Sequence, residues 1–188
     1  MKKQNIVLYI LRLALTLLAI CALVAGALAG VNKLTKDRIA AIQEEKIQAA
    51  MAEVLPGATD MTEVAFTDAT GIVRAVYKAG EGSAVQGYVV EVAPAGFGGQ
   101  ITMMVGVAEG KVTGISVVSH TETAGLGSVA ADKNSKGEAF RGQFVGMSGQ
   151  LAVDKDGGDV DSITSATITS RAITNGVNAA LAAIAALG

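Results

Sequence analysis

The stretch of the chain most able to do chemistry is DSITSATITS, residues 161–170, where hydroxyl side chains and one carboxylate precede an apolar segment. If Thr164 is a helix N-cap, Ser165, Ala166 and Thr167 lie in the first turn, whose backbone N–H groups have no helical acceptor. Such N–H groups and the helix dipole attract anions. Because helical side chains lean toward the N-terminus, a phosphate on the Thr167 hydroxyl would lie over this turn. The alternative is that Thr164 and Ser165 only cap the helix and Thr167 is a surface residue.

A second candidate is the glycine-rich loop HTETAGLGS, residues 120–128, which leaves a predicted strand. Loops of this kind often form ligand sites. The alternative is a plain turn in which Glu122 is a solvated carboxylate. His120 could act as an acid or base, but a role in orienting the loop at the end of the strand is the simpler interpretation.

The reactive side chains are few, with one Cys (Cys21), one His (His120) and no Trp. A single Cys cannot form an intrachain disulfide, and it cannot alone supply an iron–sulfur, haem-attachment or zinc site. We therefore predict no metal site in this chain alone. A redox cofactor would have to be held by oxygen and backbone groups, or shared with a partner chain, and a metal centre shared with a partner is the alternative. The formal net charge of -2 and pI near 5.4 disfavour nucleic-acid binding.

The elements that position these loops are predicted from short β-branched runs and from apolar spacing. Glu109-Gly110 reads as a hairpin link, so the strands on either side of it are antiparallel. The fold class is therefore α+β, with a mostly antiparallel twisted sheet. The predicted strands are residues 72–79, 84–93, 100–108 and 111–119, and the predicted helices are residues 138–144 and a closing helix at 164–187.

Two methionines follow the glycine-rich segment around Phe97. Met103 and Met104 are more typical of a core than of a cofactor wall, and only one face of their strand could line a site.

Residues 13–31 form an uncharged run of 19 residues, which as a helix spans about 28 Å, the thickness of a bilayer core. We predict a transmembrane anchor at 1–31, in which Lys2, Lys3 and Arg12 precede the uncharged run. An amphipathic stalk helix at 32–56 ends at Pro56-Gly57, and a domain follows at 57–188. The alternatives are a signal peptide cleaved after Ala27-Leu28-Ala29, and a lipid anchor at Cys21, which Ile20 disfavours.

Residues 161–178, DSITSATITSRAITNGVN, closely resemble the flavinylation motif of the FMN-binding domain in G subunits of Rnf complexes and C subunits of sodium-pumping NADH:quinone reductases. The resemblance extends through residues 87–107 and 120–128 and includes the anchor-first layout. The family usually has Gly at the position of Ser165 and Pro at the position of Ala124.

This resemblance implies that Thr167 receives FMN as a phosphoester from a dedicated flavin transferase. It also implies a set of flavin-binding residues in the two loops, with no catalytic residue among them, and it implies that the segment 95–104 around Phe97 approaches the flavin. The implied cofactor-binding residues are Thr164, Ser165, Ala166, Thr167, Glu122, Thr123, Gly125, Leu126 and Gly127.

The function implied is that of a membrane-anchored electron carrier, a translocase subunit of an ion-translocating ferredoxin:NAD oxidoreductase (Rnf) complex and not a stand-alone enzyme. Its partners would be the other membrane subunits, the flavin transferase and membrane lipid. The expected location is the inner cell membrane, with a single pass and the FMN domain on the extracytoplasmic side. The alternatives are the equivalent subunit of a sodium-translocating NADH:quinone reductase, a stand-alone extracytoplasmic flavoprotein, or a non-redox anchored binding module.

Overall fold

The computed structural model describes residues 3–68, 70–80 and 85–187. Several positions assigned above to the anchor, a strand or the domain lie outside the described residues: Met1, Lys2, Ala84 and Gly188. The chain divides into two compact units, Met1–Glu44 and Glu45–Gly188.

The first unit belongs to helix α1, which runs from Lys3 to Val54. By length and composition, the segment Ile6–Val54 is long and apolar enough to cross a bilayer, and its most apolar window is fully exposed in the protein. Large apolar side chains such as Leu18 and Leu23 face outward along this unit. A helix that is apolar all round is typical of burial in a lipid phase.

The second unit contains one antiparallel sheet, which confirms the predicted α+β class. Its strands lie in chain order, each paired with the next. The sequence patterns predicted four of them and missed the first, which has only four residues, two of them exposed and none buried. The strands are β1 Met61–Val64, β2 Val73–Ala79, β3 Gly87–Val92, β4 Thr102–Ala108 and β5 Lys111–Ser119.

The hairpin between β4 and β5 is confirmed. Glu109 and Gly110 have φ of 52° and 71°, and positive φ at both central residues is what a type I′ turn requires. This turn brings the end of β5, and with it the 120–128 loop, to the same end of the sheet as the segment that precedes β4.

One face of the sheet is covered by two helices, α2 at Ser135–Gly142 and α3 at Thr167–Leu187. Helix α2 begins three residues earlier than predicted because the Asn134 side chain caps it, accepting hydrogen bonds from the N–H groups of Lys136 (3.1 Å) and Gly137 (3.0 Å). The core on this face includes Val90, Val92, Ile101, Met103, Phe140, Phe144, Ile173, Val177 and Leu181.

The opposite face is covered by the last turns of α1. Ala50, Met51 and Val54 are buried there against Met104, whereas Ile39 lies exposed in the first unit. The end of the segment predicted as a stalk is therefore part of the core of the second unit.

The end of α1 approaches the sheet closely because two glycines face it. A Cβ at Gly106 would collide with the carbonyl oxygen of Val54, and one at Gly114 would press on the Val54 backbone. Thr113 donates a hydrogen bond from Oγ1 to the same Val54 carbonyl at 2.5 Å, which satisfies an acceptor at the end of the helix.

We expect Gly106→Ala to destabilise the second unit by about 1–3 kcal/mol, because the new methyl group must displace the helix backbone from the sheet. Thermal denaturation of the full chain in detergent, followed by the sheet signal in circular dichroism, measures this effect. Gly142→Ala is the matched control, since a Cβ at Gly142 meets open space. Equal transition temperatures for the two variants would contradict the close packing described here.

Candidate functional site

A cavity of about 340 Å³ lies where the loop before β4, the loop after β5 and the start of α3 meet. Its volume is in the range usual for small-molecule sites. Of the sequence-predicted site residues, Thr164 and Gly125 are not among those that line it. The lining residues are Phe97, Glu122, Thr123, Leu126, Gly127, Ser165, Ala166, Thr167, Ile168 and Thr169.

Helix α3 begins at Thr167, three residues later than predicted, so the assignment of Thr164 as N-cap was wrong. A hydrogen bond from the Ala166 N–H to the Ile163 carbonyl (2.9 Å) closes a turn through Thr164 and Ser165 instead. The helix cannot begin within this turn, because Ser165 takes a non-helical conformation. Thr167 is thereby the first helical residue, half-buried on the cavity wall.

The first turn of α3 presents free donors. Within the described part of the chain, no hydrogen bond joins the N–H groups of Thr167, Ile168 or Thr169 to a protein acceptor. Ala166, which precedes the helix, has no side-chain oxygen to cap it. The cavity therefore has the backbone donor set that binds anions at helix N-termini.

Ser165 has φ of 64°, in the left-handed region that glycine adopts without penalty. It is the third residue of the turn that ends at Ala166, the position at which a type II turn needs positive φ. This geometry explains the Gly at this position of the family motif. The serine hydroxyl is exposed, so the cost of the substitution lies in the backbone conformation.

Glu122 is buried, with 9% of its surface exposed, so the alternative of a solvated carboxylate was wrong. Its Oε1 accepts a hydrogen bond from the Gly98 N–H at 2.9 Å, and its Oε2 accepts one from Thr169 Oγ1 at 2.5 Å. The side chain thus ties together all three segments that form the cavity.

Three large apolar side chains on the cavity wall remain exposed: Phe97 (69%), Leu126 (44%) and Ile168 (50%). Sequence reasoning assigned Leu126 to the site and, through the resemblance, expected the segment around Phe97 near the flavin, but it did not assign Ile168. Exposed apolar side chains around a concave surface indicate a ligand or partner that covers them. Met103 and Met104 are not among the residues that line the cavity, since their side chains are buried in the cores on opposite faces of the sheet.

The loop after β5 is organised by its own polar groups. His120 Nδ1 accepts a hydrogen bond from the Glu122 N–H at 3.2 Å, an arrangement that orients the loop. Gly125, with φ of 74°, donates from its N–H to Ser128 Oγ at 3.0 Å. Gly125 therefore shapes the loop from outside the cavity.

The segment that leads into α3 is held by side chains that sequence reasoning did not identify. Gln143 binds the backbone of Asp161 in both directions, accepting from its N–H at 2.8 Å and donating to its carbonyl at 3.2 Å. Arg171 donates two hydrogen bonds to Asp156, at 2.7 and 2.6 Å. The members of these pairs are 18 and 15 residues apart, and no local pattern of residue types marks them.

Two carboxylates in this segment have lowered pKa values. Hydrogen bonds from Ser162 lower the pKa of Asp154 from 3.8 to about 2, and the distance from Asp154 Oδ1 to the Ser162 nitrogen is 3.0 Å. The Arg171 guanidinium lowers the pKa of Asp156. Both carboxylates are exposed, so their contribution to stability is small.

We expect Ser165→Gly to raise the free energy of unfolding by about 1 kcal/mol, because glycine removes the strain of a left-handed conformation. Chemical denaturation of the full chain in detergent measures this change. Ser165→Ala is the control, since it also removes the hydroxyl but keeps a Cβ. If alanine stabilises as much as glycine, the strain assigned to Ser165 is not present.

A pH dependence follows from Asp154. Because its pKa is lower in the folded than in the unfolded chain, the ionised carboxylate stabilises the fold above pH 3.8, and this contribution is lost as the pH falls through about 2. Asp154→Asn should therefore melt below wild type near neutral pH and converge with it near pH 2. A gap between the two melting temperatures that is constant with pH would contradict the assignment.

Comparison with known proteins places these features in one family. The FMN-binding domain model matches residues 96–182, and the RnfG N-terminal region model matches residues 1–54. The first match contains every cavity-lining residue, and the second ends with helix α1.

Several curated proteins match nearly the whole chain. It is 33% identical to the G subunit of the ion-translocating oxidoreductase complex of Methanosarcina acetivorans, over 92% of this chain and 93% of that protein. It is 36% identical to the G subunit of the complex of the same name from Stutzerimonas stutzeri, over 89% of this chain and 78% of that protein. It is 33% identical to the G subunit of the Na(+)-translocating ferredoxin:NAD(+) oxidoreductase complex of Acetobacterium woodii, over 90% of this chain and 88% of that protein.

Among solved structures, the C subunit of the Na(+)-translocating NADH-quinone reductase from Parabacteroides distasonis aligns with a TM-score of 0.48 and 19% identity, over 72% of this chain and 80% of that one. The sequence relatives alone are sufficient for assignment. The chain belongs to the family of G subunits of Rnf ion-translocating oxidoreductase complexes, electron-transfer subunits with an FMN-binding domain.

Proposed function

We propose that this chain is a membrane-anchored electron carrier that holds FMN covalently, through a phosphoester on Thr167, within an ion-translocating ferredoxin:NAD oxidoreductase complex. The observation that carries the proposal is the position of Thr167. Its side chain lies on the cavity wall at the first residue of α3, beside backbone donors that no protein group uses within the described part of the chain.

The donor set fits the phosphate of FMN. A phosphoester on the Thr167 hydroxyl lies next to the free N–H groups of the first turn, where the helix dipole also favours a negative charge. Among the described residues that line the cavity there is no Lys or Arg. A covalent bond would supply the retention that ion pairs provide in sites that bind phosphate reversibly.

The apolar part of the cavity fits the flavin ring. Phe97, Leu126 and Ile168 provide aromatic and aliphatic surface. Gly127 lets the loop pack closely beside them, because a Cβ at this position would collide with the side chains of Glu122 and Thr169. The partial exposure of all three apolar side chains leaves one side of the site accessible to a neighbouring subunit.

The chemistry of the bound group is electron transfer, which the flavin supplies. The residues of this chain bind it, orient it and set its surroundings, and none of them has to donate or accept a proton. A tether keeps the cofactor at high local concentration on a domain that faces solvent.

The anchor completes the proposal. We place the membrane span at residues 1–31, a connecting helix at 32–56 and the FMN-binding domain at 57–188, with the domain on the extracytoplasmic side of the inner cell membrane. The length and exposed apolar surface of α1 support the membrane span. The partners are the other membrane subunits of the complex, the flavin transferase that modifies Thr167, and lipid around the anchor.

Thr167→Ala should abolish covalent flavin, because it removes the hydroxyl that the phosphoester requires. The chain is co-expressed with the flavin transferase and examined by in-gel fluorescence after denaturation and by the mass of the peptide containing residue 167. Thr164→Ala is the control, since it removes a hydroxyl that does not line the cavity. A fluorescent band that persists in Thr167→Ala would place the linkage on another residue.

A further inference from the structure

The wall of the cavity contains a buried carboxylate. Glu122 has only 9% of its surface exposed, and each of its oxygens has one protein donor, the Gly98 N–H on Oε1 and the Thr169 hydroxyl on Oε2. Two donors directed at one carboxyl group satisfy the ionised form, which acts only as an acceptor.

No cation neutralises this carboxylate among the residues that the structure describes. Ion pairs in that part of the chain involve other carboxylates, such as Lys133–Glu53, Lys155–Asp154 and Arg171–Asp156. The buried Arg141 is used elsewhere, since it donates to the carbonyls of Ala130 and Asp132. Two hydrogen bonds stabilise the Glu122 charge without cancelling it, so a net negative charge remains at the cavity wall.

We infer that the Glu122 carboxylate lowers the reduction potential of the flavin held in this cavity, an inference that rests on the function proposed above. Reduction of a flavin held here would add negative charge to its ring. A fixed negative charge at the wall of a partly desolvated site opposes the build-up of negative charge there, and it acts more strongly than the same charge in water.

Glu122 also has a positioning role, because it joins the loop before β4 to α3. The two roles are separable by substitution. Glu122→Gln removes the charge but keeps both contacts, since the amide oxygen accepts from Gly98 and the amide NH₂ donates to the Thr169 oxygen. Thr169→Val breaks the contact between Glu122 and α3 but keeps the carboxylate charge. The Glu122 carboxylate then has one hydrogen-bond donor fewer.

The experiment is a redox titration of the full chain, loaded with flavin by co-expression with the transferase and purified in detergent. Sodium dithionite serves as the reductant, and the visible absorbance of the flavin reports the midpoint potential. Loading of each variant is verified first by the mass of the Thr167 peptide. Glu109→Gln is the matched control, because it makes the same change in charge in the β4–β5 turn, at the other end of β4 from the cavity.

We expect the midpoint potential to rise in Glu122→Gln, to fall in Thr169→Val and to be unchanged in Glu109→Gln. A role in positioning alone predicts no shift in Glu122→Gln, which keeps both contacts, and a shift only in Thr169→Val, which breaks one of them. An unchanged or lowered potential in Glu122→Gln would overturn the inference. If Glu122→Gln does not fold, the midpoint potential of the flavin in Thr169→Val serves as the test. A potential below that of the wild type supports the role of the charge, and an unchanged or raised potential refutes it.

Failure of the inference is distinct from failure of the proposed function. A wild-type chain that carries no flavin on Thr167 after co-expression counts against the proposed function. Loaded proteins whose potentials do not depend on residue 122 count against the role of Glu122 alone.

Discussion

The site depends on where α3 begins. A helix must leave its first backbone N–H groups without internal acceptors, and this chain directs those groups toward a cavity. The left-handed conformation of Ser165 and the hydrogen bond from Ala166 to Ile163 set the starting point. A start at Thr164 would place Thr167 almost one turn further from the helix N-terminus, where the partial positive charge is weaker. The strain at Ser165 is thus part of what makes Thr167 the first helical residue.

The start of α3 is held in place by the layers beneath it. Gly176 lets the helix lie against Pro94 and Met103, while the end of α1 supports the other face of the sheet at Gly106. Because both faces of the sheet are packed, the loops at the end of β5 and before β4 extend from a rigid base. Glu122 then joins those loops to α3 through Gly98 and Thr169.

Sequence patterns were informative where the signal is local. Alternating β-branched residues predicted β2 to β5, and the Glu109-Gly110 pair predicted the hairpin. The start of α3 was misplaced because hydroxyl residues at 164 and 165 suit an N-cap and a turn equally well. Thr169 was not assigned to the site, and the burial of Glu122 was missed, because the contact between these two residues joins segments far apart in the chain, which no local period records. The segment around Phe97 was expected near the flavin only through the resemblance.

The cavity combines two electrostatic features of opposite sign. Free N–H groups at the start of α3 favour an anion near Thr167, and the Glu122 carboxylate on the same wall opposes added negative charge. In the proposed holoprotein, the first feature acts on the phosphate and the second on the ring. If a phosphoester holds the cofactor as proposed, a charge unfavourable to the reduced ring would not weaken retention of the group. Under this proposal, covalent attachment would allow a low reduction potential in an open site.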